Sequence, residues 1–168
     1  MNAKEIIGQL ERNAETFSAL VAGIGSEEAL WKPAEDKWSV LDVINHLADE
    51  ERVDFRQRLD LTLHTPEQDW PGIDPENGVK DVRYTQRGLA DALADFREER
   101  SHSVQWLRSL ENPDWDSTHR HPHFEPIDAG TLLASWLAHD YLHIQQIVRL
   151  RYSWLEQHVG PYSLAYAR

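Results

Sequence analysis

Residues 128–157 read DAGTLLASWLAHDYLHIQQIVRLRYSWLEQ. Apolar side chains recur there at steps of three and four, the period of an amphipathic helix rather than the alternation of a strand. Asp128 can cap its start, Ile127 and Leu132 are placed as a hydrophobic staple, and Gly160-Pro161 ends it just beyond Gln157. With His139 set at zero and about 100° per residue, His143 falls at about 40°, Trp136 at about 60°, Leu132 and Leu150 at about 20° and Gln146 at about −20°. The two histidines share a line with large apolar residues, which turns them towards whatever this helix packs against.

A long helix with one apolar face needs partners, and three further segments supply them. From Ala3 to about Ala22, the residues Ile6, Leu10, Ala14, Phe17 and Val21 form one stripe, stopped by Gly23 and Gly25. The second segment opens at Ser39, with Asp42 at N3 of a capping box and Trp38 placed to staple onto Val43, and runs to about Leu63. The third, from about Thr85 to Leu110, carries Leu89, Leu93, Phe96, Val104 and Leu107 before Asn112-Pro113 closes it. Four helices of this length predict an all-α protein, a four-helix bundle in one domain spanning residues 1–168.

The connections are an irregular stretch from Thr65 to Val82 with two proline-containing turns, and a histidine-rich loop from His119 to His123. Linkers of roughly 15 to 20 residues exceed what adjacent antiparallel helices need, so they can cross the bundle and the topology stays open. The tail after Gly160 keeps Tyr162, Leu164 and Tyr166 and is expected to pack.

Composition narrows the function classes. The chain carries 17 Lys and Arg against 29 Asp and Glu, a net charge of −12. Such a balance repels phosphate backbones and anionic membranes, so neither nucleic acid nor a membrane is an expected partner. No run approaches the roughly 20 apolar residues that span a bilayer. The amphipathic opening MNAKEIIGQLERN does not read as a secretory signal, and a cytoplasmic location is expected. There is no cysteine. Thiolate ligands and a protein thiol nucleophile are therefore excluded, and any sulfur chemistry must use a thiol brought by a ligand. The seven Trp are expected to fill core and interfaces.

His139 and His143 alone, at i and i+4, fit either a metal site or a pair of neutral core imidazoles. His46 adds to the first reading, because it lies at the edge of the apolar stripe formed by Val40, Val43, Ile44 and Leu47. Inward side chains on facing helices are a common source of metal ligands. Neutral imidazoles suit zinc, nickel, copper or ferrous iron, and three of them leave positions open for water or substrate. The alternating His119, His121 and His123 read as an exposed loop, and His64, His102 and His158 as solvated residues. Glu51 and Arg100 fall on inner stripes where apolar residues are expected, and an unpaired buried charge is costly. The two are expected to pair with each other.

Two motifs carry a family resemblance. One is Lys37-Trp38-Ser39 followed by Asp42 and Asn45-His46-Leu47-Ala48-Asp49-Glu50-Glu51; the other is Leu137-Ala138-His139-Asp140-Tyr141-Leu142-His143-Ile144-Gln145-Gln146-Ile147. In this order and separation they resemble the DinB/YfiT-like superfamily of bacterial metal-binding four-helix bundles, over about Ile6 to Tyr152. The resemblance implies His46, His139 and His143 as ligands of a divalent metal, zinc or nickel first. It also implies a small-molecule substrate and a homodimer, with the aromatic tail as one candidate contact surface.

Members of that superfamily include transferases of low-molecular-weight thiols. The leading expectation is accordingly a metal-dependent S-transferase using a thiol such as bacillithiol or mycothiol on an electrophilic small molecule. The alternatives are a metal-dependent hydrolase and a non-catalytic metal-binding bundle. Glu50, one turn beyond His46, is the candidate proton-transfer group. Gln146 is the candidate for bonding a ligand imidazole from behind. Arg149 and Arg151, the nearest cations for a thiol's carboxylates, have a helical phase that points away from the histidine row.

Overall fold

The computed structural model describes residues 1–72, 87–120 and 125–167. Helix α1, Ala3–Val21, starts at an Asn2–Glu5 capping box and ends before Gly23, whose φ of 76° lies in the left-handed region that glycine tolerates. A short helix α2, Ser26–Leu30, occupies the connection after it; five residues are too few to show a periodicity. Helix α3, Val40–Asp49, opens at the Ser39–Asp42 capping box, with Lys32 closing on Asp42 at 2.8 Å. A π-helical segment, Glu50–Phe55, leads without a break into α4, Arg56–His64. Helix α5 spans Leu89–Ser109 and α6 spans Ala129–His158, the latter capped by the Asp128 carboxylate on the Thr131 amide at 2.6 Å.

The chain is a four-helix bundle whose second long helix is the composite α3–π–α4 rod. Helix α1 packs on α5 and α6, and the composite rod also packs on α5 and α6. The first and second long helices therefore stand diagonally across the bundle, so the chain crosses it between them. Long linkers permit that arrangement, and hydrophobic periodicity carries no information about it.

Two further features of the fold depart from the sequence reading. A two-residue antiparallel ladder pairs Thr118–His119 (β1) with Ile127–Asp128 (β2), too short for any alternation to be visible. The tail does not pack its aromatic rings: Gly160 turns the chain away at a φ of 69°, and Tyr162 and Tyr166 stand in solvent.

The core is divided in two. One cluster gathers Phe17, Val43, Ile44, Leu47, Phe96 and Ile147; the other gathers Leu10, Leu59, Val104, Leu107, Leu133 and Trp136. Between them, each long helix contributes one buried polar residue at the same level: Asn13, Glu51, Arg100 and Asp140. Arg100 donates to both Asp140 oxygens at 2.7 Å, reaches Glu51 at 2.7 Å and bonds the Leu10 carbonyl at 2.8 Å. Asn13 donates to Asp140 at 2.9 Å, and the Trp136 indole donates to Glu51 at 2.7 Å. Buried charge is tolerable only when paired and hydrogen-bonded in this way.

The π segment explains how Glu51 joins this layer. Leu47, Glu51, Phe55 and Leu59 are spaced four apart, and in a straight α-helix each such step drifts by about 40°, or about 120° from Leu47 to Leu59. The wider turn of a π-helix removes much of that drift. Leu47, Glu51 and Leu59 are all buried, and Phe55 packs against the second cluster.

Candidate metal centre

His46 comes from α3 one turn before the π segment, and His139 and His143 come from successive turns of α6. Their ligand atoms all lie within 4.8 Å of one another, the group of histidines and carboxylates among the described residues placed to hold a metal. The His46 and His139 Nε2 atoms are 3.3 Å apart, and those of His143 and His139 are 3.0 Å apart. Gln146 Oε1 accepts a hydrogen bond from His143 Nδ1 at 2.7 Å, which leaves the His143 Nε2 lone pair facing the other two rings.

Electrostatics keeps the rings neutral. Burial, and then the nearby His143, pushes the His46 imidazole down to about 3. Burial, then His143, His46 and Arg100, pushes His139 down to about 2. His143 is lowered as well, mainly by burial, against the opposing pull of Gln146 and Asp140.

These facts test the fit to a metal. Imidazole nitrogens at about 2.0–2.1 Å from one ion would stand about 2.9 to 3.4 Å apart, between octahedral and tetrahedral angles. The observed 3.0 and 3.3 Å fall inside that range. Three neutral imidazoles with converging Nε2 atoms cannot satisfy one another fully by hydrogen bonding, whereas a cation satisfies all three. The donor set fits a divalent ion.

Aromatic rings wall the cluster. Trp38 stands 4.7 Å from His46 and lies parallel to His143 at 6.1 Å, centroid to centroid. Trp38 was expected to staple onto Val43; it packs on the cluster that contains Val43, but its ring also covers the histidines. Phe55, set by the π segment, is 5.2 Å from His139 and stacks on Trp136 at 5.5 Å.

Glu50 is almost fully buried, with a carboxylate oxygen 3.6 Å from His46 Nδ1, beyond hydrogen-bond reach. Burial first, then the hydrogen bond and charge of Asp54, raises its carboxyl to about 9. The group is therefore a buried acid beside the cluster.

A hollow of about 170 Å³ adjoins the centre, lined by Lys37, Trp38, Gln146, Arg149 and Ser153 among others. Arg149 does face away from the histidine row, as its phase requires. The loop before α3 folds over that side of α6 and brings Trp38 and Lys37 to it, a juxtaposition no periodicity reveals. Arg151 is committed elsewhere, to Glu28 and the Leu20 carbonyl.

The remaining histidines separate from the site. His119 is buried, its Nδ1 donating to the Pro66 carbonyl at 2.9 Å and its ring stacked on Trp70. It is thus not the exposed loop residue expected. His121 and His123 lie outside the described residues. His64, His102 and His158 are exposed.

Glu51 and Arg100 meet, but their partner Asp140 escaped the sequence reading. Its signal was present: Asp140 sits at about 100° on the α6 wheel, between Trp136 at about 60° and Leu133 at about 120°. The test that singles out Glu51 and Arg100, a charge on an apolar stripe, also singles out Asp140.

A model of the DinB superfamily matches residues 9–147, and so takes in both histidine motifs. The chain belongs to the DinB superfamily. Among solved structures it is similar to YfiT from Bacillus subtilis, with a TM-score of 0.78 and 21% identity over 88% of this chain and 85% of that one. YfiT is described as a probable metal-dependent hydrolase with an unusual four-helix bundle topology. A comparison with curated proteins returns no match. This DinB-superfamily chain shares the YfiT fold. Among its described residues, no helix is long and apolar enough to cross a membrane.

Proposed function

We propose that this protein is a metal-dependent hydrolase of small molecules, with His46, His139 and His143 holding a divalent ion, zinc or nickel first as the family resemblance implies. The observation that carries the reading is the triangle of neutral Nε2 atoms with the buried Glu50 beside it. The description of YfiT as a probable metal-dependent hydrolase supports it. When bound, such an ion supplies Lewis acidity, making water or a thiol acidic enough to act as a nucleophile near neutral pH.

The chain's own groups supply the rest. Gln146 fixes the His143 ring in the Nδ1–H tautomer. Trp38 and Phe55 limit water around the imidazoles. Glu50, with Oε1 3.6 Å from His46 Nδ1, is the chain's candidate for holding or moving a proton beside the centre. A cation at the histidines stabilises its carboxylate form, opposing the burial that otherwise keeps it protonated.

A second reading, transfer of a low-molecular-weight thiol to an electrophile, is favoured by Lys37 and Arg149 in the adjoining hollow, which suit a thiol's carboxylates. Elemental analysis of wild type beside His139→Ala, grown with ample zinc and nickel, tests the metal site. About one ion per chain in the wild type and a large loss in the variant are expected; a metal-free wild type ends both readings. Ester or amide cleavage without added thiol supports the hydrolase. Consumption of electrophiles only when thiol is present supports the transferase instead, and turnover of neither leaves a non-catalytic bundle.

A further inference from the structure

The hollow beside the metal centre runs against the overall charge of the chain. The chain carries a net charge of −12, yet the side chains lining this hollow include two cations, Lys37 and Arg149, and no carboxylate. Arg149 is exposed and has no ion-pair partner among the described residues, while Arg52, Arg56, Arg58, Arg87, Arg97, Arg100, Arg108 and Arg151 each hold a carboxylate. Among the described residues Lys37 meets only its neighbour Asp36 at 2.9 Å, a pair in which both side chains are more than half exposed. Such a pair is weak and readily exchanged.

Gln146 adds a third donor. Its Oε1 is committed to His143 Nδ1, which leaves the amide N–H2 for whatever enters the hollow. Trp38 is the shared wall, lining the hollow while standing against His46 and His143. A molecule seated there is therefore one ring away from two of the three imidazoles.

Resting on the metal-centre reading above, we infer that this hollow is the subsite for a carboxylate on the substrate, held by Arg149 and Lys37 with the Gln146 amide. The reacting group of the same molecule extends past Trp38 to the histidine cluster. The predicted substrate class is small molecules that carry a carboxylate a few bonds from the bond that reacts. The same chemistry accepts the carboxylate of a hydrolysable acyl compound or that of a low-molecular-weight thiol. Gln146 would then couple the two halves of the site, since the residue that orients a metal ligand also touches the bound anion.

The test uses full-length zinc-treated protein, with N-acetylglycine as the acid probe, N-acetylglycinamide as its uncharged match and glutathione as a thiol carrying carboxylates. Binding is read from the shift of the Trp38 indole resonance, and zinc content is measured in the same samples. Acid-selective binding is expected, weakened about tenfold by Arg149→Met or Lys37→Met and by raised salt, at unchanged zinc content. N-acetylglycine binding more tightly than glutathione assigns the subsite to an acyl substrate; the reverse order assigns it to a thiol. Equal binding of acid and amide, or variants that bind as well as wild type, overturns the inference while leaving the metal site intact. Absence of zinc from the wild type instead overturns the reading on which the inference rests.

Discussion

Replacing Arg100 by Met gives the sharpest test of the divided core. Arg100 is 1% exposed and its guanidinium serves Glu51, which is 1% exposed, and Asp140, which is 0% exposed. Removing one partner of a buried ion pair typically costs about 3–5 kcal/mol, because the charge left behind has no compensation. Arg100→Met leaves two carboxylates so placed, with Trp136 and Asn13 as their remaining donors. A loss of about 5 kcal/mol at pH 7 is expected, a large part of the stability of an ordinary domain.

The pH dependence separates this mechanism from simple loss of packing. Without Arg100, Glu51 and Asp140 are left buried with no cation, and a buried carboxyl group is penalised in its charged form and not in its neutral form. A penalty that falls only on the charged form is relieved by acid and grows as pH rises. The penalty of Arg100→Met relative to wild type should therefore shrink towards pH 4 and grow towards pH 8. Urea unfolding of both proteins across this range measures it. A penalty below about 1 kcal/mol, or one independent of pH, refutes the ion-pair account and points to packing alone.

Three further outcomes are expected. The metal-free protein should weaken in acid, because His46 and His139 fall from 6.5 to about 3 and about 2 on folding, so their contribution is complete above 6.5 and is lost as pH falls. Glu50, raised from 4.5 to about 9, runs the other way. His143 is lowered in the same sense as the other two histidines, so the histidines outweigh the one carboxyl and give a net loss of at least about 1.4 kcal/mol per unit between pH 6.5 and 4.5, steeper just below that. Chelator-treated samples unfolded in urea at several pH values check this, and stability that stays flat or improves in acid would refute it.

Zinc at about 100 times its Kd should stabilise the protein by about 2.7 kcal/mol and raise Tm by about 5 to 10 °C, with a chelator reversing the shift. Calorimetry showing identical Tm with and without zinc counts against the site. Gln146→Leu should keep the fold but weaken zinc binding about 10- to 100-fold, since His143 loses the acceptor that fixes its tautomer. Competition against a zinc indicator would expose an unchanged affinity.

Much of this protein was legible in the chain itself. Helical periodicity, the Ser39–Asp42 capping box and the Asp128 cap are local properties, and they placed α1, α3, α5 and α6 to within a few residues. The inward phase of His139 and His143 was equally local, because it depends only on the geometry of one helix. A charge on an apolar stripe likewise pointed to Glu51 and Arg100, although Asp140, visible by the same logic, went unread.

Tertiary structure decided what no single helix contains. The diagonal placement of α1 and the α3–π–α4 rod depends on which faces meet, and periodicity does not encode neighbours. The π segment exists because Leu47, Glu51 and Leu59 must face one interior, a demand made by α5 and α6 rather than by the EERVDF sequence. Arg149 points away from the histidines on its own helix, yet the loop carrying Lys37 and Trp38 joins it in lining a hollow beside the cluster. The sequence by itself determined the helices and the donors each one offers. Their convergence, the neutral state of the imidazoles and the cationic hollow beside them came only from packing, because burial and proximity are properties of assembled helices.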